Sequence, residues 1–330
     1  MTWIKAIEKD MDSEGSYDQL LIKINDGISY EPAYHPDDRV LKYGPIPWKS
    51  DNAWQAIASL DHIPTSNQID HILQMDLPAI SIAEADQIPE LPQDDETWKS
   101  DLQLHLGFSS IDHAMLVQDH ANISSLCVPG LEHMQRSSIL QWNAARKNSA
   151  SVVVITVKIQ PTFAQDLLLI LQGLIKWLDA AERSQLAPGI TIKIYMSEAF
   201  LANIAKIRAL KLLIMHVWNL YDLTSVGLPN LIAVAHESKG LNADRGLISL
   251  MVQSSSAVIA GIDGLIIIPP PSTNRNTTWA RRVMSIHHLL KMEGNLDHVV
   301  DPLAGSYFIE HFTGSIVQYV WSQFRQWTLR

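Results

Sequence analysis

The sequence predicts an α/β fold, a TIM-like (β/α)8 barrel with an N-terminal extension. Three observations carry that prediction. Short β-branched runs, apolar on both faces, recur along the chain, the clearest being Val-Val-Val-Ile-Thr-Val-Lys-Ile at 152–159. Stretches of helical period separate them. Counting a last run at Tyr307, Phe308 and Ile309, there are about eight, the number that closes a parallel barrel. Strands apolar on both faces and separated by helices belong to a parallel sheet covered by helices.

Taken in order, residues 1–50 read as an arm, 51–312 as the barrel and 313–330 as a C-terminal helix. In the arm, residues 3–9 have amphipathic helical spacing, 20–24 read as a strand and 27–34 as an extended connector. Residues 54–60 read as a helix, and Thr65-x-x-Gln68 caps another running to Met75. Strands follow at 77–83, 102–106 and 125–128, with a helix over 132–147. After the strand at 152–159, Thr162-x-x-Gln165 caps a helix whose Leu167, Leu171, Leu174, Ile175 and Leu178 keep helical spacing. Strands at 190–196, 231–236 and 264–268 alternate with helices at 199–217, 244–260 and 279–292. Gly261 is placed to end the helix before it.

Composition narrows the function classes. The chain has 330 residues, enough for one α/β barrel, which takes ~250. It is 47% hydrophobic and only 18% charged, which reads as a surface partly covered by another subunit. The net charge of -10 opposes nucleic-acid binding through phosphate neutralisation. Cys127 is the single cysteine; it excludes an internal disulfide and reads as a small buried apolar residue. The thirteen histidines include His105 and the pair His287-His288, but none has metal-ligand spacing with an acidic partner, so no metal site is expected. Met1-Thr2-Trp3-Ile4-Lys5 lacks a signal-peptide core, and no run approaches the ~20 apolar residues of a membrane span. A soluble, cytoplasmic protein is the expectation.

The most distinctive stretch is Asp301-Pro302-Leu303-Ala304-Gly305-Ser306-Tyr307-Phe308-Ile309-Glu310. Pro302 fixes φ and Gly305 permits positive φ, so the stretch reads as a tight turn feeding a short strand. As a pattern it resembles the Asp-Pro-x-x-Gly-Ser-x-x-x-Glu that ends the barrel of the cobalamin-dependent acyl-CoA mutases, the methylmalonyl-CoA mutase family. Three other segments agree in order. Gly27-Ile28-x-x-Glu31-Pro32-x-Tyr34 resembles the segment leading into the family's barrel, part of an arm that there reaches over the partner subunit. Residues 204–213 resemble an outer barrel helix with a basic face outward. His236-Glu237-Ser238 resembles the family's Thr-His-Ser at a strand end, where the histidine lies close to the cobalamin. His236 is therefore the candidate cofactor contact.

Departures from the family pattern carry the functional expectation. The family's catalytic Tyr-His pair aligns with Val157 and Lys158. Its channel-lining serines align with Val153 and Ile155, which implies a barrel plugged by β-branched side chains. Its substrate-holding arginine aligns with Gly189, which offers no guanidinium. Tyr43 stands where a loop carrying a catalytic tyrosine is expected and is the one candidate substrate contact. No Asp-x-His-x-x-Gly motif follows the barrel, so no cofactor is expected on this chain alone, adenosylcobalamin being the family's.

The expectation is a non-catalytic mutase-like barrel, similar to the small (beta) subunit of heterodimeric members but trimmed before the cobalamin-binding domain. Its partner would be a catalytic mutase subunit or a second copy, giving a dimer. The alternative is an active acyl-CoA mutase subunit, an isomerase that binds acyl-CoA and takes cobalamin from a separate chain. Chemistry alone adds a third reading, Lys158 as a Schiff-base lysine at a strand end.

Overall fold

In a computed structural model of the chain, the described residues are 2–11, 17–23, 29–35, 43, 45–60, 79–82, 103–107, 123–127, 153–157, 163–180, 190–223, 227–236, 243–268 and 277–328. Ten strands are described among them. Ile22–Lys23 (β1) and Ser29–Tyr30 (β2) form a small antiparallel pair. The other eight are Gln55–Leu60 (β3), Ala79–Ile82 (β4), Gln103–Gly107 (β5), Ile123–Cys127 (β6), Val153–Val157 (β7), Ile190–Tyr195 (β8), Asn230–His236 (β9) and Gly264–Ile268 (β10). All pair in parallel, and β10 returns to β3 to close a barrel.

The described helices are Thr2–Asp10 (α1), Phe163–Ala180 (α2), Phe200–Leu220 (α3), Ala243–Ile259 (α4), Thr277–His288 (α5) and Tyr307–Thr328 (α6). A π-helical turn, Leu289–Glu293, continues α5. The helices expected at 65–75 and 132–147 lie outside the described residues.

The first barrel strand differs from expectation. Residues 55–60 form β3, where the spacing predicts a helix. Trp54, Ile57 and Ala58 satisfy helical spacing, but Ile57 on one face and Ala56 and Ala58 on the other suit a strand buried on both sides. Ile57 lies in a cluster with Ala79, Ile232, Val234 and Ile266, while Ala56 and Ala58 pack on the outer core. Pairing with β10 and β4 on either side outweighs local propensity. The reverse holds at the chain's end. Tyr307, Phe308 and Ile309 open α6 rather than forming a strand. That helix begins ahead of the expected boundary at 313.

The helix α3 is the hub of the outer layer. Its Ile204, Ile207, Leu210 and Ile214 are fully buried. The basic face expected to point outward is buried too: Lys206, Arg208 and Lys211 are 1%, 1% and 5% exposed. α6 packs along α3 over Arg208, while Lys206 faces α2 and Lys211 faces the end of α4. Each buried cation then has its own acceptor. Lys206 reaches Asp166 at 3.0 Å. Lys211 Nζ donates to the carbonyls of Ala260 and Gly261, both at 2.7 Å, at the end of α4. Gly261 takes φ +77° there, and a side chain on it would meet Lys211 Nζ at 2.8 Å.

The N-terminal segments pack on the same chain. The Tyr30 ring lies 5.0 Å from both Phe308 and Phe312, and Tyr34 lies 4.8 Å from His311. Among the described residues, no helix is long and apolar enough to cross a membrane.

Candidate functional site

Parallel barrels carry their chemistry at the C-terminal ends of the strands. There, His236 closes β9 and its ring meets the edge of Tyr195, the last residue of β8, at 5.6 Å. Gln253 of α4 grips the His236 backbone from both sides. Its Oε1 accepts the His236 N–H at 3.0 Å and its Nε2 donates to the His236 carbonyl at 2.8 Å. That Nε2 also reaches Ser249 Oγ at 3.1 Å, and Ser249 donates to Glu198 at 2.8 Å. Asn203 ties the neighbouring loop, donating to the Ser197 carbonyl at 2.7 Å and to Ser256 Oγ at 3.0 Å.

The His236 Nδ1 is buried without a hydrogen-bond partner among the described residues. Burial pushes the imidazole pKa down, against the pull of Glu198, so the ring is held neutral. A neutral imidazole on a rigid backbone can make an edge contact or one hydrogen bond, but it is not a standing cation.

Below this mouth, the described residues place an apolar cluster in the barrel interior. Ile57, Ala79, Ile232, Val234 and Ile266 form one interior cluster, with Tyr195 and Ile268 packed against it. The described members of this cluster come from β3, β4, β9 and β10. Val153 and Ile155 pair with Ile190 and Ile192, whose side chains belong to the outer core. Val154 and Thr156 pair with Thr191 and Lys193. Lys193, 7% exposed and level with Ile232, is a buried interior cation that sequence reasoning missed. Val157 pairs with Ile194 of the outer layer, and Lys158 lies outside the described residues.

The Asp301–Glu310 stretch has a different place and role. Arg208 donates through Nη1 to Asp301 and through Nη2 to Glu310 Oε1, the latter at 2.8 Å. The other Glu310 oxygen accepts the Tyr43 N–H at 2.8 Å, and Asp301 accepts the Ile46 N–H at 3.1 Å. Glu310 Oε1 also accepts the Gly305 N–H at 2.9 Å, reaching back over the start of α6. Asp301 and Gly305 both take positive φ, at 48° and 84°. The motif is thus a buried structural bracket. Tyr43 belongs to it: its hydroxyl lies near Gly314 of α6, away from the strand ends. Burial, then the Glu310 carboxylate, raises the Tyr43 pKa.

Fold and mouth together define a parallel α/β-barrel protein in which, among the described strand ends, His236 stands over an apolar interior cluster. Residues 172–328 match the family model described as methylmalonyl-CoA mutase. Through that segment, the chain resembles the methylmalonyl-CoA mutase family. A stretch of 85 residues is 35% identical to the methylmalonyl-CoA mutase small subunit of Porphyromonas gingivalis, covering 25% of this chain and 14% of that protein. The chain thus aligns with only a small part of that relative's length. Among solved structures, a truncated 3-deoxy-D-arabino-heptulosonate 7-phosphate synthase from Thermotoga maritima aligns at 11% identity and a TM-score of 0.45, over 86% of this chain and 99% of that one. HPPK-DHPS from Plasmodium falciparum aligns at 12% identity and a TM-score of 0.44, over 75% of this chain and 47% of that one.

Proposed function

We propose that this chain is a non-catalytic barrel subunit of a methylmalonyl-CoA mutase-like assembly, with a complete (β/α)8 barrel preceded by an arm. Its role is structural or regulatory. Its partner is a catalytic mutase subunit or a second copy, and its compartment is the cytoplasm. The observation that carries this reading is the interior cluster of Ile57, Ala79, Ile232, Val234 and Ile266. Close-packed interiors leave no space for both these side chains and an acyl-CoA arm along the axis.

The described residues also do not fit a catalytic cobalamin site. His236 alone matches the family at the strand ends, and its Nδ1 is turned into protein. The second reading, an active acyl-CoA mutase subunit with cobalamin on a separate chain, draws on that same histidine at the barrel mouth.

Calorimetric and visible-absorbance titration with adenosylcobalamin and methylmalonyl-CoA separates the two. It is run on the chain alone and with a cobalamin-binding mutase subunit added. A stable complex with no ligand uptake attributable to this chain is expected. Saturable CoA-ester binding to the chain itself would overturn the filled-barrel reading and favour the active subunit.

A further inference from the structure

We propose that residues 45–54, with Tyr43 ahead of them, form a strap across the N-terminal end of the barrel that opens and closes as one unit, with Arg208 as its lock. The attachments are side-chain bonds to separate elements. The Ile46 N–H goes to Asp301, and the Trp48 indole donates to Asp263 at 3.3 Å. Lys49 Nζ donates to the Ile262 carbonyl at 2.6 Å, and Asn52 Nδ2 to the carbonyls of Val258 and Leu296 at 3.0 and 2.6 Å. Sheet pairing begins only at Gln55, whose N–H donates to the Asp263 carbonyl at 2.9 Å. A segment held this way, outside the ladder, can open without unpairing the sheet.

Charge makes the attachments interdependent. Asp301 and Glu310 receive the strap's amides only because Arg208 lies between them. Without the guanidinium, two buried carboxylates face each other uncompensated, and both turn toward water. On the other side, Lys211 sits 5.7 Å from the Trp48 ring centre and shares the Asp263 field with Lys49. Each side of the strap is therefore seated on a buried cation with its counter-charge. Losing one seat uncovers the other.

Hydrogen exchange on the full chain, followed by mass spectrometry, tests this. Asp301→Asn is expected to speed exchange across residues 43–54 by about tenfold or more, the scale of one lost charge-assisted bond, while Ile190–Tyr195 and Asn230–His236 keep their rates. Arg208→Met is expected to act more strongly on the same peptides. Trp48→Phe tests the single-unit claim without touching the lock: the Ile46 amide, although its acceptor is intact, is expected to exchange faster as well. Strap and barrel strands accelerating in step, no acceleration in the strap, or an effect of Trp48→Phe confined to its neighbours would each overturn the proposal.

Discussion

Arg208 and Glu310 lie 102 residues apart in sequence and meet at 2.8 Å, at 1% and 0% side-chain exposure. This ion pair joins α3 to the first turn of α6, and through the other carboxylate oxygen it holds the Tyr43 amide. One guanidinium thus connects the N-terminal segment, the middle of the barrel and the last helix.

Breaking that pair from one side leaves a buried, uncompensated charge. Arg208→Met is expected to cost about 3–5 kcal/mol, measured by urea denaturation. Arg208→Met combined with Asp301→Asn and Glu310→Gln is expected to cost less than the sum of the three single changes. Additive costs would mean that the three groups do not act together.

Lys211 gives the fold an alkaline dependence. Burial lowers its pKa from 10.5 to about 8, against the pull of Asp263 and Asp301. Between those values the unfolded chain holds a proton that the folded chain has released, so stability rises with pH across that window. The rise is of the order of 3 kcal/mol. Denaturation midpoints measured from pH 8 to 10.5 are expected to climb in the wild type and to stay flat in Lys211→Met.

His287 acts in the acid range. It is 3% exposed, its Nδ1 accepts the Trp54 indole N–H at 3.4 Å, and burial lowers its pKa from 6.5 to about 3. The folded chain keeps this ring neutral where the unfolded chain protonates it, so stability falls as pH drops below 6.5 toward 3. His287→Phe is expected to weaken that dependence. An unchanged acid slope would assign it to other groups.

The interior cluster predicts a cavity penalty. Ile266 is 3% exposed and packs with Ile57 and Val234. Ile266→Ala is expected to cost about 2–5 kcal/mol. A change well under 1 kcal/mol would mean that the interior is not close-packed.

Gly261 combines a positive φ of 77° with a Cβ position 2.8 Å from Lys211 Nζ. Gly261→Ala strains the backbone and displaces the ammonium from its carbonyls, with an expected cost of about 1–3 kcal/mol read from thermal unfolding. An unchanged melting temperature would show that the ammonium moves aside freely.

Much of the architecture was legible because barrel strands and their helices leave strong local patterns. Residues 190–196, 231–236 and 264–268 announced themselves by continuous apolar composition, and Gly261 by its place after a helix. His236 was placed at a strand end for the same reason, and it stands there. The family signature from Asp301 to Glu310 was visible as a pattern, but its purpose was not. Tertiary structure decided the rest. Gln55–Leu60 is a strand because two neighbours supply its hydrogen bonds, and Tyr307–Ile309 is helical because Glu310 and Ser306 organise a helix start. The burial of Lys206, Arg208 and Lys211 followed from the elements that pack around α3 on several sides. Spacing along a chain reports periodicity; it does not report which partner, distant in sequence, will supply the acceptor for a cation or the neighbour for a strand.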